Sequence, residues 1–174
     1  ISEKIQIFIL HQDETNDLFV PSYIQKHKML KNIEVKKFQS KHPVFPNLDN
    51  VHVSEATYYR IYFADFFDID NENIIYLDSD IICKSDPYEL LITFIKKINN
   101  QNCVIGAVTH QIKNTHNKDI FEDLKMNSSK YFNAGVIIIN INKWKELNLK
   151  DKVQNKLENL DLELKNWDQD LLNN

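Results

Sequence analysis

Residues 74 to 81 read IIYLDSDI: four apolar residues, two aspartates one residue apart, then another isoleucine. On a strand, residues i and i+2 share a face, so Asp78 and Asp80 would present neighbouring carboxylates that repel unless a proton or cation lies between them. The segment asks for a positive guest. With fifteen aspartates in 174 residues, about one D-x-D is expected by chance, and the chain has two more. Asp68-Ile69-Asp70 precedes Asn71 and reads as a solvated turn. Asp168-Gln169-Asp170, in WDQDLLN, reads as a helix start where acids favour the dipole. Only Asp78-Ser79-Asp80 has strand-like residues on both sides. A second chemical signal is Arg60, since all but one of the 21 basic residues are lysine. Its planar fork grips phosphate or carboxylate oxygens with two parallel hydrogen bonds, which lysine cannot.

The elements that would carry these groups follow from periodicity and punctuation. Residues 4 to 10 and 33 to 38 predict strands, with a polar helix over 14 to 32 disturbed near Pro21. KHPVFPNLDN is a loop by its prolines and Asn/Asp content. Ser54 can cap a helix from Glu55 to Phe67 that carries Arg60, with Tyr59, Phe63 and Phe66 on one face. Asn73 to Leu77 predicts a strand buried on both faces, with the aspartates at its carboxyl end and a second short strand, IIC, after them. Ser85-Asp86-Pro87 starts a helix through Ile98, CVIGAV is another buried strand, and 109 to 130 forms a polar lid or loop. GVIIINI is the last strong strand, and helices fill Lys143 to Leu164. Strands alternating with helices predict one α/β domain over 1–174 with a mostly parallel or mixed sheet. In such sheets ligands sit beyond the carboxyl ends of the strands, where Asp78 and Asp80 lie.

Composition narrows the function. A net charge of -4 with interspersed lysines and acids gives no basic footprint for nucleic acid. No apolar run approaches the roughly 20 residues that cross a bilayer, and the first residues lack a leader pattern. Cys83 and Cys103 sit among apolar neighbours without metal-type spacing, which predicts buried free thiols and a cytoplasmic setting. Only two glycines occur, so neither the dinucleotide fingerprint nor the glycine-rich phosphate loop is present.

Four segments in order, YYRIYFADFF, IIYLDSDIICKSDPYELL, YFNAGVIIINI followed by Lys-Trp, and WDQDLLN, resemble the bacterial galactosyl- and glucosyltransferases of glycosyltransferase family 8. The resemblance implies the Rossmann-like GT-A nucleotide-diphospho-sugar transferase fold, with helices on both faces of its sheet. It implies transfer of galactose or glucose from UDP-galactose or UDP-glucose to a saccharide acceptor, with retention at the anomeric carbon and Mn2+ or Mg2+ as cofactor. Asp78 and Asp80 match the family's metal pair, a hard divalent ion suited to oxygen ligands. Ser79 falls near the ribose, Arg60 and Thr57 near the donor, and the Asn133-Ala134-Gly135 turn against the donor sugar. Asp168 and Gln169 match the acid and amide beside the transferred hexose. Because a glutamine is a poor nucleophile, front-face attack is favoured over the carboxylate route of retaining hydrolases.

Departures from the family are equally specific. The chain starts about one βα unit late, without the strand that meets uridine, and stops before the segment carrying a histidine metal ligand and a diphosphate-binding lysine. His11, His27, His42 and His52 read as surface or packing residues, and His110 and His116 lie in the polar segment. Family analogy also suggests lipopolysaccharide synthesis at the inner face of the cytoplasmic membrane, with peripheral association through the missing C-terminal region. Two alternatives stand beside this. An aspartate-nucleophile phosphatase of the haloacid dehalogenase type also ends a strand in D-x-D, but near its N-terminus and followed by Gly-Thr or Gly-Val. A noncatalytic binding module is the other.

Overall fold

The apolar stretches form five strands: β1 (Ile5–His11), β2 (Leu30–Lys37), β3 (Asn73–Leu77), β4 (Ile105–Thr109) and β5 (Phe132–Asn140). The computed structural model describes residues 4–12, 18–39, 45, 55–70, 72–109, 118–126, 130–159 and 164–174. Among these, β1 and β2 pair in parallel, while β5 lies between β3 and β4 and runs antiparallel to both. Parallel pairing thus holds for the first two strands, and GVIIINI runs against its neighbours. The helices are α1 (Ser22–Gln25), α2 (Tyr59–Phe66), α3 (Tyr88–Asn100), α4 (Lys118–Asp123), α5 (Ile141–Glu146), α6 (Leu149–Glu158) and α7 (Trp167–Asn173). A 3₁₀ turn, Glu55–Tyr58, leads into α2.

The main core forms around α2. Tyr58, Tyr59, Ile61, Tyr62 and Phe63 are all buried, so the first turn of this helix is covered on every side rather than along the single stripe its spacing suggested, and Asp65 in its last turn is exposed. Phe38 stacks on Tyr59 at 3.9 Å between ring centroids, and Phe45 stacks on Tyr58 at 4.8 Å. Strand alternation sends Ile137 and Ile139 of β5 into the same cluster, with Ile74 and Tyr76 of β3 packed against it. Trp144 of α5 and Val153 and Leu157 of α6 close it. The helix pair α5 and α6 is separated at Asn148, whose φ of 49° lies in the left-handed region that asparagine tolerates.

Several expectations are corrected. The helix expected over 14 to 32 is one turn, α1, with Pro21 at its N-cap, and β2 already begins at Leu30; residues 13–17 lie outside the described set. The strand IIC does not form. Ile81 and Ile82 follow a turn closed by the Ile81 N–H on Asp78 O at 3.2 Å, and Ile82 is 84% exposed. Burial of β3 is one-sided, since alternate residues Ile75 and Leu77 are exposed. Asn133, Ala134 and Gly135 are not a turn but part of β5. The segment 109 to 130 contains α4; residues 110–117 and 127–129, like Ser54 and most of KHPVFPNLDN, lie outside the described residues. Cys83 is exposed and Cys103 half-buried, both free, where two buried thiols were expected.

The opposite face of the three-stranded sheet is covered in part by α3, whose Ile98 packs on Gly106 of β4. A Cβ at Gly106 would fall 2.2 Å from Ile98 Cδ1 and 2.8 Å from Cγ1. Gly106→Ala is therefore expected to destabilise the fold by about 1–3 kcal/mol through overpacking, with part recovered by adding Ile98→Val. Urea midpoints of the two variants check this, and an unchanged midpoint for Gly106→Ala would show that α3 is not seated on β4.

Candidate functional site

β3 ends where its ladder meets the middle of β5: the Asp78 N–H donates to Gly135 O at 2.8 Å, and the chain then turns. Asp78 follows Tyr76 by two residues, so both face α2. The Tyr76 hydroxyl donates to Asp78 Oδ1 at 2.7 Å, and the Arg60 guanidinium lies 4.1 Å from the centre of the Tyr76 ring. Burial holds the Tyr76 phenol above its ordinary value, against the opposing pull of Arg60. Asp80, by contrast, is on the exposed turn and not on a strand face, so the two aspartates differ in surroundings and the shared-face reading fails.

Arg60 is 7% exposed, a lone cation in an otherwise apolar stretch of helix. Nε donates to Thr57 O at 3.1 Å, Nη1 to Ala134 O, and Nη2 to Asp78 Oδ1 at 3.1 Å. Nε also lies 2.7 Å from Asp168 Oδ2. That contact is Coulombic rather than an aligned hydrogen bond, because the Nε proton is directed at Thr57; Oδ2 is buried with no hydrogen-bond partner among the described residues. The Thr57 hydroxyl donates to Asp168 Oδ1. Burial pushes the Asp168 carboxyl up to about 6, with Arg60 and Thr57 working against the shift.

Thr57, Arg60, Asp78, Ala134, Asp168 and Gln169 are thereby gathered at one place, from the 3₁₀ turn, α2, the end of β3, β5 and α7. Gln169 Oε1 accepts the Ala134 N–H at 2.9 Å. Gly135 is required at its position, since a Cβ there would lie 2.7 Å from Asp78 Oδ2 and 3.1 Å from Asn133 Oδ1. Asn133 is exposed on β5 and its Oδ1 accepts the Gly135 N–H at 2.9 Å, which leaves its amide NH2 available. Ser79 is exposed on the turn. Three residues that the sequence did not assign to the site complete it: Tyr76, Tyr131 and Asp170, the last read there as a helix-start acid and found in the first turn of α7. Tyr76 could have been found from its i−2 relation to Asp78, whereas nothing local marks Tyr131.

A hard divalent ion fits what is present. Asp78 Oδ1 takes both Arg60 and Tyr76, leaving Oδ2 at the surface of the turn with no hydrogen-bond partner among the described residues, and Asp80 is exposed beside it. No group of three or more His, Cys, Asp or Glu suited to a metal occurs among the described residues. Two carboxylates suffice for ions whose remaining positions are filled by substrate phosphates and water.

Comparison with known proteins bears on this arrangement. The chain is 32% identical over 122 residues to a lipopolysaccharide 1,3-galactosyltransferase of Salmonella typhimurium, covering 68% of this chain and 35% of that protein. It is 28% identical over 122 residues to a lipopolysaccharide 1,2-glucosyltransferase of Escherichia coli, covering 69% and 34%. The chain thus spans about a third of the length of these curated relatives. Among solved structures it is similar to galactosyltransferase LgtC in complex with donor and acceptor sugar analogs, with a TM-score of 0.62, 22% identity and coverage of 86% of this chain and 51% of that one. It is also similar to glycosyltransferase GlyE of Streptococcus pneumoniae, with a TM-score of 0.61, 23% identity and coverage of 97% and 35%. These neighbours bear out the GT-A fold. The pattern of glycosyl transferase family 8 matches residues 6–174, which sets aside the phosphatase alternative: the chain belongs to glycosyl transferase family 8.

Proposed function

We propose that this chain is the donor-handling part of a retaining hexosyltransferase that moves galactose or glucose from a UDP-sugar to a saccharide acceptor, with Mn2+ or Mg2+ as cofactor. The observation that carries the reading is the Arg60 guanidinium held between Asp78 at the tip of β3 and Asp168 of α7, with Asp78 Oδ2 outside both hydrogen bonds and Asp168 Oδ2 in ionic contact but without an aligned donor. Two carboxylates touch the one guanidinium and a third, Asp80, stands on the adjoining exposed turn, so the site favours an incoming cation. Lipopolysaccharide synthesis at the cytoplasmic face of the membrane belongs to the proposal through the relatives' activities. Among the described residues no helix is long and apolar enough to cross a membrane.

In this reading Asp78 and Asp80 hold the metal, which when bound supplies Lewis-acid neutralisation of the charge gathering on the leaving diphosphate. Asp168, ionised above about pH 6, is buried against Arg60, and its Oδ2, the oxygen without an aligned donor, is the acceptor a hydroxyl of the hexose would complete on reaching it. Arg60 acts from beneath, fixing Asp78 and Asp168 relative to each other and to the Ala134 carbonyl. Ala134 and Gly135 bring the β5 backbone close to the sugar, Asn133 offers its NH2, and Ser79 lies on the ribose side. Gln169 has both ends of its amide engaged, Oε1 by Ala134 N and Nε2 by the Tyr131 oxygen at 2.8 Å. An amide held in this way orients a ligand and does not serve as a nucleophile, which agrees with front-face attack in which the leaving phosphate assists deprotonation of the acceptor.

Binding is tested by thermal melting of the full-length protein. UDP with Mn2+ at about a hundred times its Kd is expected to stabilise the native state by about 2.7 kcal/mol, and Asp78→Asn or Asp80→Asn is expected to remove the Mn2+-dependent part. A shift that persists without Mn2+ and is indifferent to both variants would argue against the metal assignment. Turnover is read from hydrolysis of a panel of UDP-hexoses. Gln169→Ala is expected to lower kcat by about tenfold, the effect of one positioned hydrogen bond; complete loss with a glycosyl adduct trapped on another side chain would refute front-face attack.

Asp168 also sets a stability dependence. Its folded-state pKa of about 6 lies above the ordinary 3.8, so the native state holds the proton more tightly than the unfolded chain. The stability due to that proton is complete below the unfolded value and is lost as pH rises through the folded one. In urea titrations, the stability of wild type relative to Asp168→Asn is therefore expected to fall between about pH 4 and 6. A rise across the same window would mean that Arg60 outweighs burial.

A further inference from the structure

The start of β5 and helix α7 are joined by hydrogen bonds more elaborate than docking requires. Asn173 of α7 spans Phe132, accepting its N–H at 2.8 Å and donating to its carbonyl at 3.0 Å. One turn away, Asp170 is 2% exposed and fully engaged. Its Oδ2 accepts the backbone N–H groups of Lys165 at 2.8 Å and Asn166 at 2.7 Å, and its Oδ1 accepts Asn166 Nδ2 at 3.1 Å and the Tyr131 hydroxyl at 2.6 Å. Four donors use up the acceptor sites of a carboxylate.

The polarity of the remaining bonds follows from that. Three N–H groups donate to this carboxylate and the Tyr131 hydroxyl is the fourth donor, so the single Tyr131 proton points to Asp170 and the phenolic oxygen is left as an acceptor. Burial and the bond to Asp170 both raise the Tyr131 phenol, keeping that proton in place. The group 2.8 Å from the phenolic oxygen is Gln169 Nε2, which donates to it, and the opposite end of the amide accepts the Ala134 N–H. Turning the amide over would set Oε1 against an oxygen whose proton is already committed and NH2 against a backbone N–H. Both contacts would be mismatched, and each mismatch leaves a buried polar group unsatisfied.

We infer that Asp170 and Tyr131 are positioning residues: through the order Asp170, Tyr131, Gln169, Ala134 they lock the Gln169 amide in one orientation, so that a donor hexose meets one fixed pattern of hydrogen-bond donor and acceptor. The groups left for the sugar are the second Nε2 hydrogen and the second lone pair of Oε1. The inference rests on the proposed placement of Gln169 beside the hexose, but the lock is a property of the protein and can be measured without substrate. It gives Asp170 a different part from Asp168: both are buried, but Asp170 has all its acceptor sites occupied, whereas Asp168 Oδ2 has no aligned donor.

Two measurements decide it. In 15N NMR spectra of the wild-type protein, the Gln169 side-chain amide, identified by its loss in Gln169→Ala, is expected to show slowed hydrogen exchange and a pair of separated proton shifts. Exchange as fast as that of a free glutamine would overturn the lock. In steady-state kinetics with a UDP-hexose, Tyr131→Phe is expected to lower kcat by about the same factor as Gln169→Ala, on the order of tenfold, with UDP affinity within about twofold. Adding Tyr131→Phe to Gln169→Ala is expected to cost nothing further, as coupled residues behave. Losses that multiply in the double variant would overturn the inference, since a tyrosine needed only for the fold would act whatever stands at 169. Should no UDP-hexose be turned over, the donor reading fails and the NMR measurement alone settles the lock; it does so equally if Tyr131→Phe does not fold.

Discussion

A guanidinium buried in an aromatic core is the constraint around which this site is built. Taking a charge out of water costs several kcal/mol unless partners replace the lost solvation, and Arg60 meets that demand with groups from four places in the chain. Thr57 is local. Ala134, Asp78 and Asp168 are not, and each is brought in by a different element. The residues on either side of Arg60 seat the helix in the core: Tyr58, Tyr59, Ile61, Tyr62 and Phe63 are all buried. The arginine thus converts the burial of one short helix into a fixed spacing between the tip of β3 and the start of α7. Lysine, with a compact ammonium on a flexible stem, could not span these acceptors at once.

The same count of charges gives the site its sign. Two carboxylates touch Arg60 and a third, Asp80, stands on the adjoining turn. The excess negative charge is held apart from solvent on one side by Tyr76 and open to it on the other, so an arriving cation is stabilised where Asp78 Oδ2 and Asp80 emerge. Gly135 keeps that corner clear, because even a methyl group would occupy the space of Oδ2. The close approach of β5 backbone to a carboxylate explains why one of only two glycines in the chain falls here.

What could be read from the sequence was whatever announces itself locally. The apolar runs IIYL and VIIIN marked β3 and β5, Ser85-Asp86-Pro87 marked the start of α3, and the ordered segments marked the family. The antiparallel course of β5 was not legible, since periodicity carries no strand direction. Nor was the fate of IIC, which has the composition of a strand but follows a tight turn with no neighbouring strand among the described residues to pair with. Burial of the first turn of α2 on all sides was hidden by Arg60, whose partners Ala134, Asp78 and Asp168 come from distant sequence. Tyr131 was invisible for the same reason: its value lies in Asp170, 39 residues on.

Helix geometry explains how one D-x-D segment supports two unrelated tasks. Successive residues on a helix are rotated by about 100°, so residues two apart look in nearly opposite directions. In α7, Asp168 is therefore turned to Arg60 and Thr57 while Asp170 is turned back toward Tyr131 and the turn at Asn166. Gln169 lies between them and reaches β5 through Ala134. One carboxylate keeps an oxygen without an aligned donor, in surroundings that raise its proton affinity, and the other has every lone pair filled. A D-x-D on a strand would have presented both acids to one side. The chemical content of the motif therefore resides in the element that carries it and in the donors that element brings near, and the spacing alone does not contain it.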